Sequence, residues 1–212
     1  NVTRVSSKRP IPVNTTAPRP VIVANHYQNE NCHPDGKIKV GIGQDSAWRW
    51  ERLENAKRLF AAARAYDVPI VHVRLAVDPE FKGVVANTGL IREWIELGAW
   101  REGTWGVEFI DGLTPESGEH IVTHTRNSAF HNSTLEEVLF SLNARQLICC
   151  GVSTAYTVEG TVRHATDYGY EVTVAADACS TATQEQHNNA LSAMQPIANI
   201  RTVDELAKSF AT

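Results

Sequence analysis

Five short stretches of this chain are apolar at odd and even positions alike: PVIVAN at 20–25, VPIVHVRL at 68–75, HIVTH at 120–124, QLICCGV at 146–152 and EVTVAADA at 171–178. A strand with one wet face alternates apolar and polar residues, so stretches like these must be covered on both faces, the condition of strands inside a parallel sheet. Between them run segments with helical spacing, Ser46–Tyr66, Ser133–Leu142, Thr154–Tyr168 and Gln184–Met194. The alternation of the two kinds predicts a three-layer α/β/α domain around a mainly parallel sheet. With 212 residues, 42% of them hydrophobic, the chain can bury one sizeable core. Residues 1–18 are polar, proline-bearing and aperiodic, and read as an extended arm before a single domain at 19–212.

Charge and cysteine usage narrow the partners. The net charge of −4 comes with Lys and Arg scattered among acids, which argues against a nucleic-acid backbone and for a small-molecule substrate. No apolar run approaches the roughly 20 residues of a membrane span, and no charged-then-apolar leader opens the chain, so a soluble cytoplasmic protein without a membrane partner is expected. The four cysteines, at 32, 149, 150 and 179, lack CxxC spacing and read as reduced core residues. Residues 78–113 are the least regular part. They carry Trp94, Trp100 and Trp105, which would either line a pocket or pack on the sheet edge or a sister subunit. The arm and these tryptophans together suggest a homo-oligomer.

Ligands of open parallel sheets bind beyond the carboxyl ends of the strands. Three residues with proton-handling side chains sit there: His26 after the first strand, His124 closing the third, and Thr157 in the first helical turn after QLICCGV. Imidazole titrates near neutrality and can serve as acid or base. A threonine hydroxyl needs a base to become a nucleophile, whereas free N–H groups at the start of its helix can hold a developing oxyanion without one. Each has a bland counterpart: a hydrogen-bonded strand-end histidine, or a helix-start hydroxyl beside an N-cap at Thr154. His72, mid-strand, reads as a satisfied core histidine, and His33, His120, His131, His164 and His187 as surface or capping residues. No HxH, HExxH or DxH spacing occurs, so neither a metal nor another cofactor is expected.

The same segments carry a family resemblance. GVSTAYTVEGTVRHATDYGYEVTVAADAC, VIVANHYQNENCHPDG and IVTHTRNSAFHNSTLEEVL, with the closing RTVDEL, are similar in order and spacing to the motifs of the isochorismatase-like hydrolases, over residues 20 to 207. The resemblance implies the α/β/α fold and, in typical members, an aspartate, a lysine and a cysteine, the cysteine attacking an amide or related carbonyl. Here the aspartate position falls on His26, or on Asn25 if the loop shifts by one; the lysine position falls on His124 and the cysteine position on Thr157. Cys149 and Cys150 precede the elbow and are not at the nucleophile position. The resemblance further implies a cis peptide after Val152 and an oxyanion hole from the backbone around Val152, Ser153 and Thr157. Asn25, Tyr27, Trp94, Trp100, Trp105 and Tyr156 are the expected pocket wall.

The expected activity is hydrolysis of a small amide, ester or enol ether by histidine acid-base chemistry without the cysteine nucleophile, with the acid and base assignments of the two histidines left open. A non-hydrolytic isomerase or lyase on the same scaffold and an inactive ligand-binding homologue are the alternatives.

Overall fold

The computed structural model describes residues 19–38, 40 and 47–211; the N-terminal arm expected at 1–18 lies outside the described residues. Six strands form one sheet: β1 (Pro20–Asn25), β2 (Ile70–Leu75), β3 (His120–His124), β4 (Gln146–Val152), β5 (Glu171–Ser180) and β6 (Asn199–Arg201). The order across the sheet is β3-β2-β1-β4-β5-β6, and all neighbours run parallel. All five strands expected from sequence are present. The edge strand β6, only NIR, carries too few residues to show a period.

Among the described residues, six α-helices lie between strands and a seventh follows the last: α1 (Asn29–Cys32), α2 (Ala47–Ala65), α3 (Gly89–Leu97), α4 (Leu135–Ser141), α5 (Glu159–Asp167), α6 (Gln184–Met194) and α7 (Val203–Phe210). The alanine-rich α2 has no Gly or Pro and buries Leu53, Ala56, Leu59, Phe60 and Ala63, one face at helical spacing. Thr88, Thr183 and Thr202 each accept a backbone N–H at the start of α3, α6 and α7, and Thr202 with Glu205 forms a capping box. Helices α2 and α7 pack together, as do α5 and α6, and all four touch β5. That interior strand, paired with β4 and β6, is therefore packed under helices, as its apolar pattern requires. None of the described helices is long and apolar enough to cross a membrane.

The order reverses between β1 and β4, where successive connections leave on opposite sides and open a crevice beyond the strand ends. Two backbone features shape that crevice. Gly151, at φ +136°, lies so close to β1 that a Cβ would collide with the Asn25 carbonyl oxygen, so only glycine lets β4 approach there. One residue later the Val152–Ser153 peptide is cis, and the chain enters a wide π-helical turn, Thr154–Val158, before continuing as α5. Such turns are frequent at functional sites because they redirect side chains out of the regular helical path.

Candidate active site

A small cavity of about 50 Å³ occupies the crevice. Its polar wall includes His26 and Thr157, and its apolar wall includes Leu75, Leu90, Trp94 and Trp100. Val152, Ser153 and Tyr156 also line it. His124 stands behind His26, and the two imidazoles meet Nε2 to Nε2, with ring centroids 4.7 Å apart. Residues from the ends of β1, β3 and β4 thus converge, although 98 positions separate His26 from His124.

Hydrogen bonding determines where the protons lie. His124 Nδ1 is 2.9 Å from the Ser128 carbonyl oxygen, which can only accept, so Nδ1 carries the proton. In a neutral ring Nε2 is then a lone-pair acceptor, and the proton between the two rings belongs to His26 Nε2. That leaves His26 Nδ1 unprotonated and without a protein partner among the described residues. Both rings are held neutral: burial lowers His26 well below its ordinary value, with the neighbouring His124 adding to it. Burial likewise lowers His124 to about 4, although its bond to Ser128 opposes the shift. His26 itself has φ 54°, a left-handed backbone that turns the chain sharply at the end of β1.

Thr157 is 2% exposed and its hydroxyl is buried without a hydrogen-bond partner among the described residues, an arrangement that costs free energy unless a ligand supplies the bond. Trp100, in the same wall, likewise has a buried Nε1 without a partner among the described residues, whereas other polar groups nearby are occupied. Ser153 Oγ pairs with Thr181 Oγ1 at 2.6 Å, Thr154 Oγ1 with His187 Nδ1 at 2.8 Å, and Asn31 Nδ2 donates to the Val152 carbonyl. The Tyr156 and Val158 N–H groups bond back to the Ser153 carbonyl. Beneath Trp100, the buried Glu30 carboxylate accepts the Trp100 and Lys37 backbone N–H groups and holds this irregular segment against the cavity. Glu30 carries no sequence signal for this role, since its partners lie 7 and 70 positions away.

Three residues expected in the pocket wall lie elsewhere. Tyr27 points into the core, donating its hydroxyl to the Ala178 carbonyl and packing edge-on against Phe60. Asn25 is fully buried and donates its amide Nδ2 to the Val23 and Cys150 carbonyls. Trp105 is 50% exposed and packs on His33. In each case strand or loop geometry aims the side chain away from the crevice, which proximity in sequence does not reveal. His187, read as a surface or capping residue, is buried at 3% exposure against Trp48 and Thr154. His72 sits in the core on Glu119, as its mid-strand position suggests.

All four cysteines are buried and unpaired. Burial raises every one of their thiols, Cys150 to about 12, so none is a thiolate near neutral pH. Among the described residues no group of three or more His, Cys, Asp or Glu is placed to hold a metal ion.

The family model described as "Isochorismatase domain" matches residues 20–205. Among curated proteins, the ureidoacrylate amidohydrolase RutB of Methylorubrum extorquens is 29% identical over 182 residues, covering 80% of this chain and 73% of that protein. Among solved structures, an isochorismatase family protein from Desulfovibrio vulgaris superposes with a TM-score of 0.80 at 24% identity, covering 92% of this chain and 100% of the other. The N-carbamoylsarcosine amidase from Thermoplasma acidophilum does so with a TM-score of 0.72 at 20% identity, covering 88% and 97%. At these identities the structural matches establish the shared fold.

Proposed function

This chain belongs to the isochorismatase family, and on that premise we propose that it is a hydrolase of a small amide, ester or enol ether that works through His26 and His124 without a cysteine nucleophile. The observation that carries this reading is the fixed tautomer of the neutral pair, which leaves the open Nδ1 of His26 as a base beside a cavity where the Thr157 hydroxyl has no partner among the described residues. The amidohydrolase named among its relatives supports the hydrolytic class.

For an amide or ester, His26 Nδ1 takes a proton from a water molecule as its oxygen adds to the carbonyl carbon. The charge arising on His26 is shared through Nε2–H with His124, whose bond to Ser128 fixes the accepting nitrogen. The carbonyl oxygen becomes an oxyanion, stabilised by the backbone N–H groups of Ser153 and Thr157. Thr157 Oγ1 donates to the substrate or orients the water. When the tetrahedral intermediate collapses, the bond to the amine or alcohol breaks and the leaving group takes the proton from His26 Nδ1. This assigns His26 as base and then acid, and His124 as the group that positions and stabilises it.

A screen of small amides, esters and enol ethers with the full chain and its His26→Ala variant tests the reading. We expect turnover that falls on the order of 10²–10⁴-fold in the variant, the usual worth of a general base. Turnover unchanged by the substitution contradicts the assignment, and no turnover on any of these classes favours a binding homologue. Installing Asp, Lys and Cys together at 26, 124 and 157 should create an amidase that alkylation of the new thiol inactivates.

A further inference from the structure

The reacting cavity, at about 50 Å³, is far smaller than the roughly 300–1,000 Å³ that encloses a whole small-molecule ligand, so it takes only the reacting end of a substrate. Beside it lies a second cavity of about 500 Å³. The two share Leu90, Trp94 and Asn127 in their walls and so lie side by side. Their chemistry differs. Among the described residues the inner cavity has no charged side chain in its wall, whereas Arg126, His131 and His164 line the outer one and no acidic residue does. In a chain of net charge −4 this is a local concentration of basic groups.

Arg126 is pre-set for a ligand. Its Nη1 donates to Asn87 Oδ1 at 3.1 Å and its Nη2 to the Val85 carbonyl at 3.3 Å, which orients the guanidinium plane while leaving further N–H groups to donate. Neither partner is a carboxylate, and Arg126 forms no ion pair among the described residues. His164 is held by Ser128 Oγ at 3.0 Å and stacked on Tyr168 at 5.0 Å, leaving Nε2 for a ligand. Ser128 is the residue whose carbonyl fixes the tautomer of His124, so one loop, 126–131, serves both cavities.

We propose that the outer cavity is a subsite for an oxyanion, carboxylate or phosphonate, on the end of the substrate remote from the reacting carbonyl, with Arg126 as its main contact. This rests on the hydrolytic reading for calling the ligand a substrate. The subsite selects among otherwise similar amides by their tails, because a bidentate guanidinium contact has no equivalent for a neutral end group.

Isothermal titration of the full chain with succinamate, 3-phosphonopropanamide and neutral succinamide tests the subsite without requiring turnover. Either anionic compound should bind at least tenfold tighter than succinamide, and the better of the two identifies the oxyanion. Arg126→Gln should abolish the preference and Arg126→Lys should keep part of it, with thermal unfolding confirming that each variant is folded. Equal binding of all three compounds, or a preference that survives Arg126→Gln, overturns the proposal. If the preference is found but no amide in the series is hydrolysed, the subsite stands and the hydrolytic reading falls. If hydrolysis depends on His26 without any preference for the anionic tail, the reverse holds.

Discussion

Two histidine clusters are buried in the same sheet and treat their protons differently. Near the amino end of β3, His72 Nε2 meets Glu119 at 2.7 Å, and Arg64 binds the same carboxylate through Nε and Nη2. The ring is packed edge-on between Phe60 and Phe109, so both its polar and its apolar surfaces are used. At the carboxyl end, the ring nitrogens of His26 and His124 have, among the described residues, only each other and the Ser128 carbonyl as hydrogen-bond partners, one ring nitrogen is left open, and the Thr157 hydroxyl beside them has no partner among those residues. A satisfied buried cluster holds a fold together; an unsatisfied one is tolerated where a ligand completes it.

Substitution should separate the two most strongly. His26→Ala should cost about 10²–10⁴ in kcat/KM on a hydrolysed substrate while moving the thermal midpoint little. His72→Ala should do the opposite: activity within a few-fold, but a stability loss of about 2 kcal/mol from an emptied aromatic slot and a less satisfied Glu119, read by denaturant unfolding. If both variants lose activity in proportion to stability, the clusters are not distinct in role.

Thr157→Val sharpens the contrast from the other side. Replacing an unpartnered buried hydroxyl by a methyl of similar shape should raise stability by about 1 kcal/mol and lower turnover. A loss of stability in the Thr157→Val variant would mean that the hydroxyl has a partner in the resting protein.

Acid should unfold the protein in two windows. His124, lowered by burial to about 4 from an ordinary 6.5, is protonated more readily in the unfolded chain. Stability is therefore complete above pH 6.5 and declines as pH falls toward 4, with buried His187, also at about 4, contributing in the same sense. For Glu119, burial acts to raise the carboxyl, but bonds from Arg64, the Glu116 backbone and His72 together hold it at about 2, below its ordinary 4.5. Its contribution is present above pH 4.5 and is lost as pH falls through 2. Thermal unfolding against pH should show both declines in the parent, and Glu119→Gln should remove only the lower one.

The smallest effect is expected from thiol chemistry. Iodoacetamide at neutral pH should leave the native protein unmodified and fully active, because all four thiols are buried and shifted upward. Rapid inactivation would place a cysteine in the mechanism.

Much of this was legible in the sequence because it rests on short-range pattern. Strands apolar on both faces specified the parallel sheet, and His26, His124 and Thr157 follow strand ends whose convergence the sheet order produces. Side-chain direction was less legible. Tyr27 follows His26 directly but faces the core, and Trp105 resembles Trp94 and Trp100 in composition but lies on the surface. Glu30, Arg126 and the Ser128 carbonyl act through contacts that only the folded chain assembles.

The neutral, directionally protonated histidine pair is tested most directly by ¹⁵N NMR of the imidazole rings in the full chain at about pH 7, where an unperturbed histidine, at about 6.5, would be part-charged. Both rings should be neutral, with the proton on Nδ1 of His124 and on Nε2 of His26. An imidazolium at either position, or the opposite tautomer at His26, would contradict this assignment.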